Sequence, residues 1–418
     1  MGIYQLTGPV LSLSFSLTAA GYQTAISKLV AEQAALEKRP SFRPLAVGLS
    51  LSLPLSAACC LAVYRLAAPI ATLLLQEPRT AGMLRILAFS IPFSAVHACA
   101  NGYFYGIRKA GIPSASQLLG QAVRVGCVYI ISSSCLAAGK TPSVSVAVLG
   151  LTVGEFFSML VSAGAAWQHY HRIHKDRRLP VSGSRKILGS SGTLYRQLLS
   201  MALPLTANRI ILNLLQSVES VSIPARLRLY GFDNVTALSV YGVLTGMAMP
   251  FIFFPNALTS AVAVLLLPMI SESYALGDIN AVKKYSVKTV KYCGLMGFAC
   301  LCIFVLFGQW AGSTLFDSPL AGYFIATLGF ICPFLYLDTT LSSILQGLGM
   351  AGHIFAMNVI CLLIRLIFVF RAVPVFGIKG YLWGLLASQL TLGVLYLLCL
   401  SRFFRKRTHA DAGSYRRS

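Results

Sequence analysis

Apolar runs long enough to cross a lipid bilayer recur along nearly the whole chain, and no other feature narrows the choice of fold more. A helical span needs about 20 predominantly apolar residues. Such runs fall at 4–28, 43–66, 81–106, 115–137, 143–167, 196–222, 237–269, 287–311, 320–346, 353–375 and 378–402. With 56% hydrophobic residues, only 11% charged and a mean hydropathy of +0.73, there is too little polar surface to cover a water-soluble globule. The sequence therefore predicts an all-α polytopic membrane protein of about 11 transmembrane helices. A bend is expected at Pro250 or Pro255 within the run 237–269.

The formal net charge of +22 would suit nucleic acid if it were gathered on one soluble face. It is not. The basic residues sit in short connections between apolar runs, the placement expected of a membrane protein whose basic loops stay in the cytoplasm, so no nucleic-acid partner is expected. Lys28, Lys38, Arg39, Arg43, Arg108, Lys109, Arg172, Lys175, Lys283, Lys284, Arg402 and Arg405 fall on one side, whereas Arg79, Lys140, Arg226, Arg228 and Lys379 represent the other. The rich side is read as cytoplasmic, with the C-terminus inside and the protein in the plasma membrane. Counting spans back from there puts Met1 outside, which a further helix ahead of the first run would repair.

The longest polar connection divides the chain into an N-terminal lobe (1–167), a basic cytoplasmic linker (168–194), a C-terminal lobe (195–403) and a basic tail (404–418). His169, His171 and His174 lie in the linker run HYHRIHKDRR. With one acid and no cysteine nearby they read as a solvated linker able to meet anionic lipid headgroups rather than as metal ligands. The eleven cysteines lie within or beside apolar segments, without a C-x-x-C pair, and read as small core hydrophobes. No metal or cofactor is expected.

The stretch Phe89–Val125 recurs without a gap at Phe330–Leu366. Pro92, Phe93, Gly106, Ala110, Gly111 and Arg124 meet Pro333, Phe334, Gly347, Ala351, Gly352 and Arg365. The match extends to Glu32, Ala35 and Leu36 against Glu272, Ala275 and Leu276, and to Gly150, Gly154 and Ser158 against Gly380, Gly384 and Ser388. Because matched helices share one in/out sense by their loop charges, the lobes are expected to form a parallel internal repeat.

Four stretches resemble the stage V sporulation protein B group of polysaccharide and lipid-linked-oligosaccharide flippases, in the superfamily that also holds multidrug and toxin extruders. They are GIYQLTGPVLSLSFSLTAAGYQTAISKLVAE at the start, LPLTANRIILNLLQSVESVSIPARL at 203–227, YGVLTGMAMPFIFFPNALTSAVAVLLLPMISE at 241–272 and LQGLGMAGHIFAMNVICLLIRL at 345–366. The resemblance implies a two-lobed, MATE-like core of twelve helices, here lacking the first. It implies movement of a polyprenyl-linked sugar from the inner to the outer leaflet by alternating access, and the chain is expected to act as a monomer. If Met1 is the true start, an inactive truncated remnant is the alternative.

Such a cargo has a pyrophosphate head, for which arginine is the fitting partner. Arg124 lies about 15 Å beyond its cytoplasmic turn at helical rise. Arg365 is its copy, and Arg209 lies deep in the first helix of the second lobe, flanked by Asn208 and Asn213. Charges at that depth need a wet cavity or a partner, so each either lines a substrate cavity or is neutralised by an acid. Glu219 stands where the resembling group commonly carries an acid and is read with the substrate-binding candidates. Glu155, Asp338 and His97 remain open between charge pairing, helix–helix hydrogen bonding and coupling to a proton or cation.

The chain has no phosphate-cradling glycine loop and no nucleophile constellation, so the reading is a non-enzymatic transporter. A cation-coupled multidrug antiporter of the same fold is the chief rival, and it would want a more acidic cavity. A membrane-embedded glycosyltransferase or ligase is disfavoured because the outer loops are too short to hold a sugar site.

Overall fold

The computed structural model describes residues 2–37, 41–139, 143–175 and 191–414, and every regular element among them is helical. The chain begins with α1 (Gly2–Gln5), α2 (Gly8–Phe15), a π-helical segment (Ser16–Ala20) and α3 (Gly21–Glu37). Next come α4 (Arg43–Arg65), α5 (Ala67–Pro69), α6 (Thr80–Ala88), α7 (Ser90–Gly106), α8 (Gly111–Ala137) and α9 (Ser145–Lys175). The remainder is α10 (Ser191–Leu229), α11 (Asn234–Val243), α12 (Met249–Ala275), α13 (Ile279–Phe316), α14 (Pro319–Gly329), α15 (Cys332–Gly347), α16 (Ala351–Arg371), α17 (Val373–Phe376) and α18 (Ile378–Ser414). Further π-helical segments lie at Ile70–Leu74 and Leu244–Ala248, the latter just ahead of Pro250.

Among the described residues, eight helices are long and apolar enough to cross a membrane. The bent pairs α6–α7 (40°) and α14–α15 (54°) bring the number to ten. The expected first run, residues 4–28, is carried by α2, the π-helical segment and α3, of 8, 5 and 17 residues. None of these alone has the length of a span. The bends have a covalent cause in a proline in the first turn of each second piece, Pro92 as the third residue of α7 and Pro333 as the second of α15. Proline lacks the N–H that would continue the ladder, and it is tolerated where a helix starts afresh.

The chain forms two compact units, Leu6–Ser217, and Met1–Gln5 with Val218–Ser418. Their boundary falls inside α10, while residues 176–190 of the expected linker lie outside the described residues. In the first unit Tyr22, Ile26, Leu29, Leu45, Tyr103 and Leu198 form a core between α3, α4, α7 and the start of α10. In the other, Leu266, Ile270, Val282, Leu341, Ile344 and Tyr396 do so between α12, α13, α15 and α18. The repeat buries the same face twice: Cys99, Tyr103 and Phe104 are sealed, and so are their copies Thr340, Ile344 and Leu345. Elsewhere large apolar side chains such as Leu73, Phe254 and Leu306 are open, a surface suited to acyl chains and not to water.

The turn after each repeated helix is also the same object. Lys109 N–H donates to the Phe104 carbonyl at 2.9 Å, and its copy Met350 to the Leu345 carbonyl at 2.9 Å. This closes a helix with a left-handed residue before the donor. That residue is Arg108 (φ 59°) in the first copy and Gly349 (φ 78°) in the second. A side chain there costs about 1 kcal/mol that glycine avoids. Arg108→Gly is therefore expected to raise unfolding stability by about 1 kcal/mol, and Gly349→Ala to lower it by a similar amount, as read by thermal unfolding in detergent.

Candidate functional site

A polar cavity of about 470 Å³ lies inside the unit Leu6–Ser217, between α2, α3, α7, α8 and α9. Small residues bring its walls together. A Cβ on Gly154 would stand 2.7 Å from the Gly120 carbonyl oxygen and 3.1 Å from Arg124 Cβ, and one on Gly150 would stand 2.6 Å from Val128 Cγ2. The α8 and α9 backbones therefore touch where bulkier residues would part them. The copied glycines close α18 in the other unit: a Cβ on Gly384 would stand 2.5 Å from Phe368 Cβ, and one on Gly380 2.6 Å from the Ala372 carbonyl carbon.

Along α8, Gln117, Gln121 and Arg124 line the cavity at one-turn spacing, and Gln23, His97, Asn101 and Glu155 face it from α3, α7 and α9. His97 Nδ1 lies 3.4 Å from Glu155 Oε2, and its Nε2 lies 3.2 Å from Ser116 Oγ. One ring can thus bridge a carboxylate and a hydroxyl, with the proton placed according to its tautomer. Deeper, buried Ser162 donates to Asn101 Oδ1 at 3.1 Å. Ser158 donates to the Ser116 carbonyl at 3.1 Å. Of the residues singled out in the sequence, Arg124, His97 and Glu155 are brought together here.

The other unit brings together a different set. Arg365 Nη2 lies 3.1 Å from Glu219 Oε2, and the Tyr381 hydroxyl donates to Glu219 Oε1 at 2.9 Å. Glu219 is buried and Arg365 mostly so. Arg365 thus has a partner, the alternative that the sequence left open, and that partner comes from α10 rather than from its own helix pair. Asp338 on α15 is buried, and neither of its oxygens has a hydrogen-bond partner. Space beside it is set by Gly393, where a Cβ would come within 3.1 Å of Oδ1.

Asn213 donates to Ser16 Oγ within the first unit. Asn208 and Arg209 are exposed on α10, and among the described residues Arg209 makes no ion pair. The linker histidines point different ways. His169 lies 3.1 Å from the Tyr103 hydroxyl and 3.2 Å from Lys109 Nζ, whereas His171 packs against Trp167. Lys109 can only donate, so it fixes Nε2 of His169 as acceptor and Nδ1–H as donor to Tyr103. His174's side chain lies outside the described residues. No group that could hold a metal occurs among the described residues.

Sequence reasoning passed over Ser116, Tyr381 and the two glutamines of α8. Gln117 and Gln121 did carry a readable signal, a polar stripe running to Arg124 on an otherwise apolar helix. Tyr381 carried none, because its role exists only through packing against Glu219.

A family model for polysaccharide biosynthesis protein matches residues 1–274. The chain is 26% identical over 409 residues to stage V sporulation protein B of Bacillus subtilis (strain 168), covering 96% of this chain and 77% of that protein. It is 26% identical over 280 residues to sporulation protein YkvU of the same organism, covering 64% of this chain and 58% of that protein. Among solved structures, it is similar to the inward-facing conformation of a multidrug resistance MATE family transporter of the MOP superfamily. That likeness has a TM-score of 0.69 at 14% identity and covers 97% of this chain and 91% of that one. A MOP superfamily transporter from Pyrococcus furiosus is similar with a TM-score of 0.66 at 16% identity, covering 96% and 88%. At these identities the structures speak for the fold alone.

Proposed function

The chain belongs to the polysaccharide biosynthesis protein family, and we propose from that premise that it is a membrane flippase for a polyprenyl-linked sugar. On this reading the cargo moves from the cytoplasmic to the outer leaflet by alternating access, without catalytic chemistry. The observation that carries the reading is the polar cavity beside Arg124, set within helices whose outer surfaces are apolar. A guanidinium offers a planar fork to phosphate oxygens and keeps its charge in a poorly solvated site. The amides of Gln23, Asn101, Gln117 and Gln121 both donate and accept, as sugar hydroxyls require. Pairs such as His97–Glu155 and the partnerless carboxyl of Asp338 are where a coupling proton or cation would bind. In this reading the side rich in lysine and arginine is cytoplasmic.

The test is transport by the purified chain in proteoliposomes, with a fluorescent polyprenyl-pyrophosphate sugar followed by quencher accessibility and a cationic dye followed in parallel. Movement of the lipid-linked sugar without movement of the dye is the expected result. Movement of the dye alone would sink the proposal in favour of a cation-coupled multidrug antiporter.

A further inference from the structure

Two lateral grooves of about 410 Å³ each occupy matched places in the two units. The first is lined by Arg85, Ile86 and Phe89 of the bent α6–α7 pair and by Leu149, Thr152 and Val153 of α9, with Tyr64 at its side. The second is lined by Thr327 and Phe330 of the bent α14–α15 pair and by Lys379, Leu382 and Trp383 of α18. In the register of the repeat, Ile86 falls on Thr327, Phe89 on Phe330, Leu149 on Lys379, Thr152 on Leu382 and Val153 on Trp383. Phe89 and Phe330 are alike to the point of equal exposure, 51% and 52%. Both grooves lie in the half of the span away from the turns at Arg108 and Gly349.

Each groove has one basic residue in its walls, on opposite sides; the exposed lining of the first groove is wholly apolar, so Arg85 gives it the stem of its side chain and not the guanidinium. Arg85 stands on the first helix of its bent pair, whereas Lys379 opens α18, at the place where the first copy has Leu149. Both are exposed, and among the described residues neither forms an ion pair. Arg85 begins about 9 Å inside the helix that follows Arg79, at helical rise. A cation at that depth beside acyl chains is costly unless an anion reaches it or its stem carries the charge to the interface. An apolar trough ending at a cation is complementary to one molecule, a lipid with a chain for the trough and a phosphate for the charge.

We propose that each groove is a binding site for an anionic phospholipid of the leaflet opposite the basic loops, its phosphate held by Arg85 in one unit and by Lys379 in the other. The inference rests on the membrane-embedded fold and not on the transport reading, so each can fail without the other.

Trp383 reports on the second groove directly. In a variant with Trp167→Phe and Trp310→Phe it is the remaining tryptophan of three. Such a chain goes into phosphatidylcholine vesicles holding a minor fraction of brominated phosphatidylglycerol or of brominated phosphatidylcholine. Quenching by the anionic lipid is expected to reflect an enrichment of about fivefold, the effect of one basic group near the surface, and Lys379→Gln to remove the preference. For the first groove, Val153→Trp with Trp383→Phe added should behave alike, with Arg85→Gln as its control. Native mass spectrometry of the unaltered chain with both lipids present gives a second measure that needs no substitution. Equal quenching by the two lipids, together with equal retention of both in the spectrometer, would overturn the proposal.

Discussion

Arg124→Glu is expected to abolish translocation of a fluorescent polyprenyl-pyrophosphate sugar in proteoliposomes, while the protein still folds and inserts. A hydrogen bond to a charged group contributes about 1.5–3 kcal/mol, so losing Arg124 alone should slow flipping by more than about tenfold, and reversing its sign adds repulsion of the cargo. Glutamate is tolerable to the fold because the site borders a roomy polar cavity and not a sealed core. Arg124→Lys keeps the charge but loses the fork, and it should recover part of the rate. Arg209→Glu, at an exposed position on α10, is a companion whose loss of transport would extend the cargo path to that helix. Normal flipping by Arg124→Glu would remove the cavity from the mechanism.

Arg365→Ala is the second large effect, and it should appear in stability. Glu219 is buried against Arg365 and Tyr381. Removing the guanidinium leaves a carboxylate with one donor in place of two, and breaking a buried pair in this way costs about 3–5 kcal/mol. The same holds for Glu219→Ala, which strands the cation. Replacing both partners by apolar residues of similar size, Glu219→Leu with Arg365→Met, should restore most of the loss, because nothing charged is then left unpaired. The free cysteines, among them the buried Cys300, Cys332 and Cys361, make a thiol-reactive dye a convenient reporter of melting. Single variants that melt with the parent would show that the pair contributes nothing to folding. A charge reversal at Arg365 is the less informative choice, since it sets a second acid against Glu219 and confounds transport with folding.

Much of this is legible in the sequence. Hydropathy gave the class of fold, because bilayer thickness fixes how long an apolar helix must be. The repeat matches Pro92 with Pro333, and both stand at bends in the fold. The register also expects Arg124 and Arg365 at equivalent depths. Direction around the helix is not legible in this way. Register alone cannot say that Arg124 turns toward a polar cavity with His97 and Glu155, while Arg365 turns into a sealed pair with Glu219. That difference is made by neighbours distant in the chain, above all Tyr381. Asp338 illustrates the same limit, for its lack of any donor depends on Gly393 and the helices packed around it.

The seam at Gly120 and Gly154 has a mechanical consequence. Main chains in direct contact leave no layer of side chains to shear, so α8 and α9 behave as a single stiff strut. On the transport reading, deformation during turnover inside this unit must then be absorbed where the ladder is already interrupted. Those places are the elbow beside Phe89 and the π-helical segment Ser16–Ala20. On that reading the strut would hold the spacing of Arg124 and Glu155 constant through the cycle, with the compliant joints elsewhere.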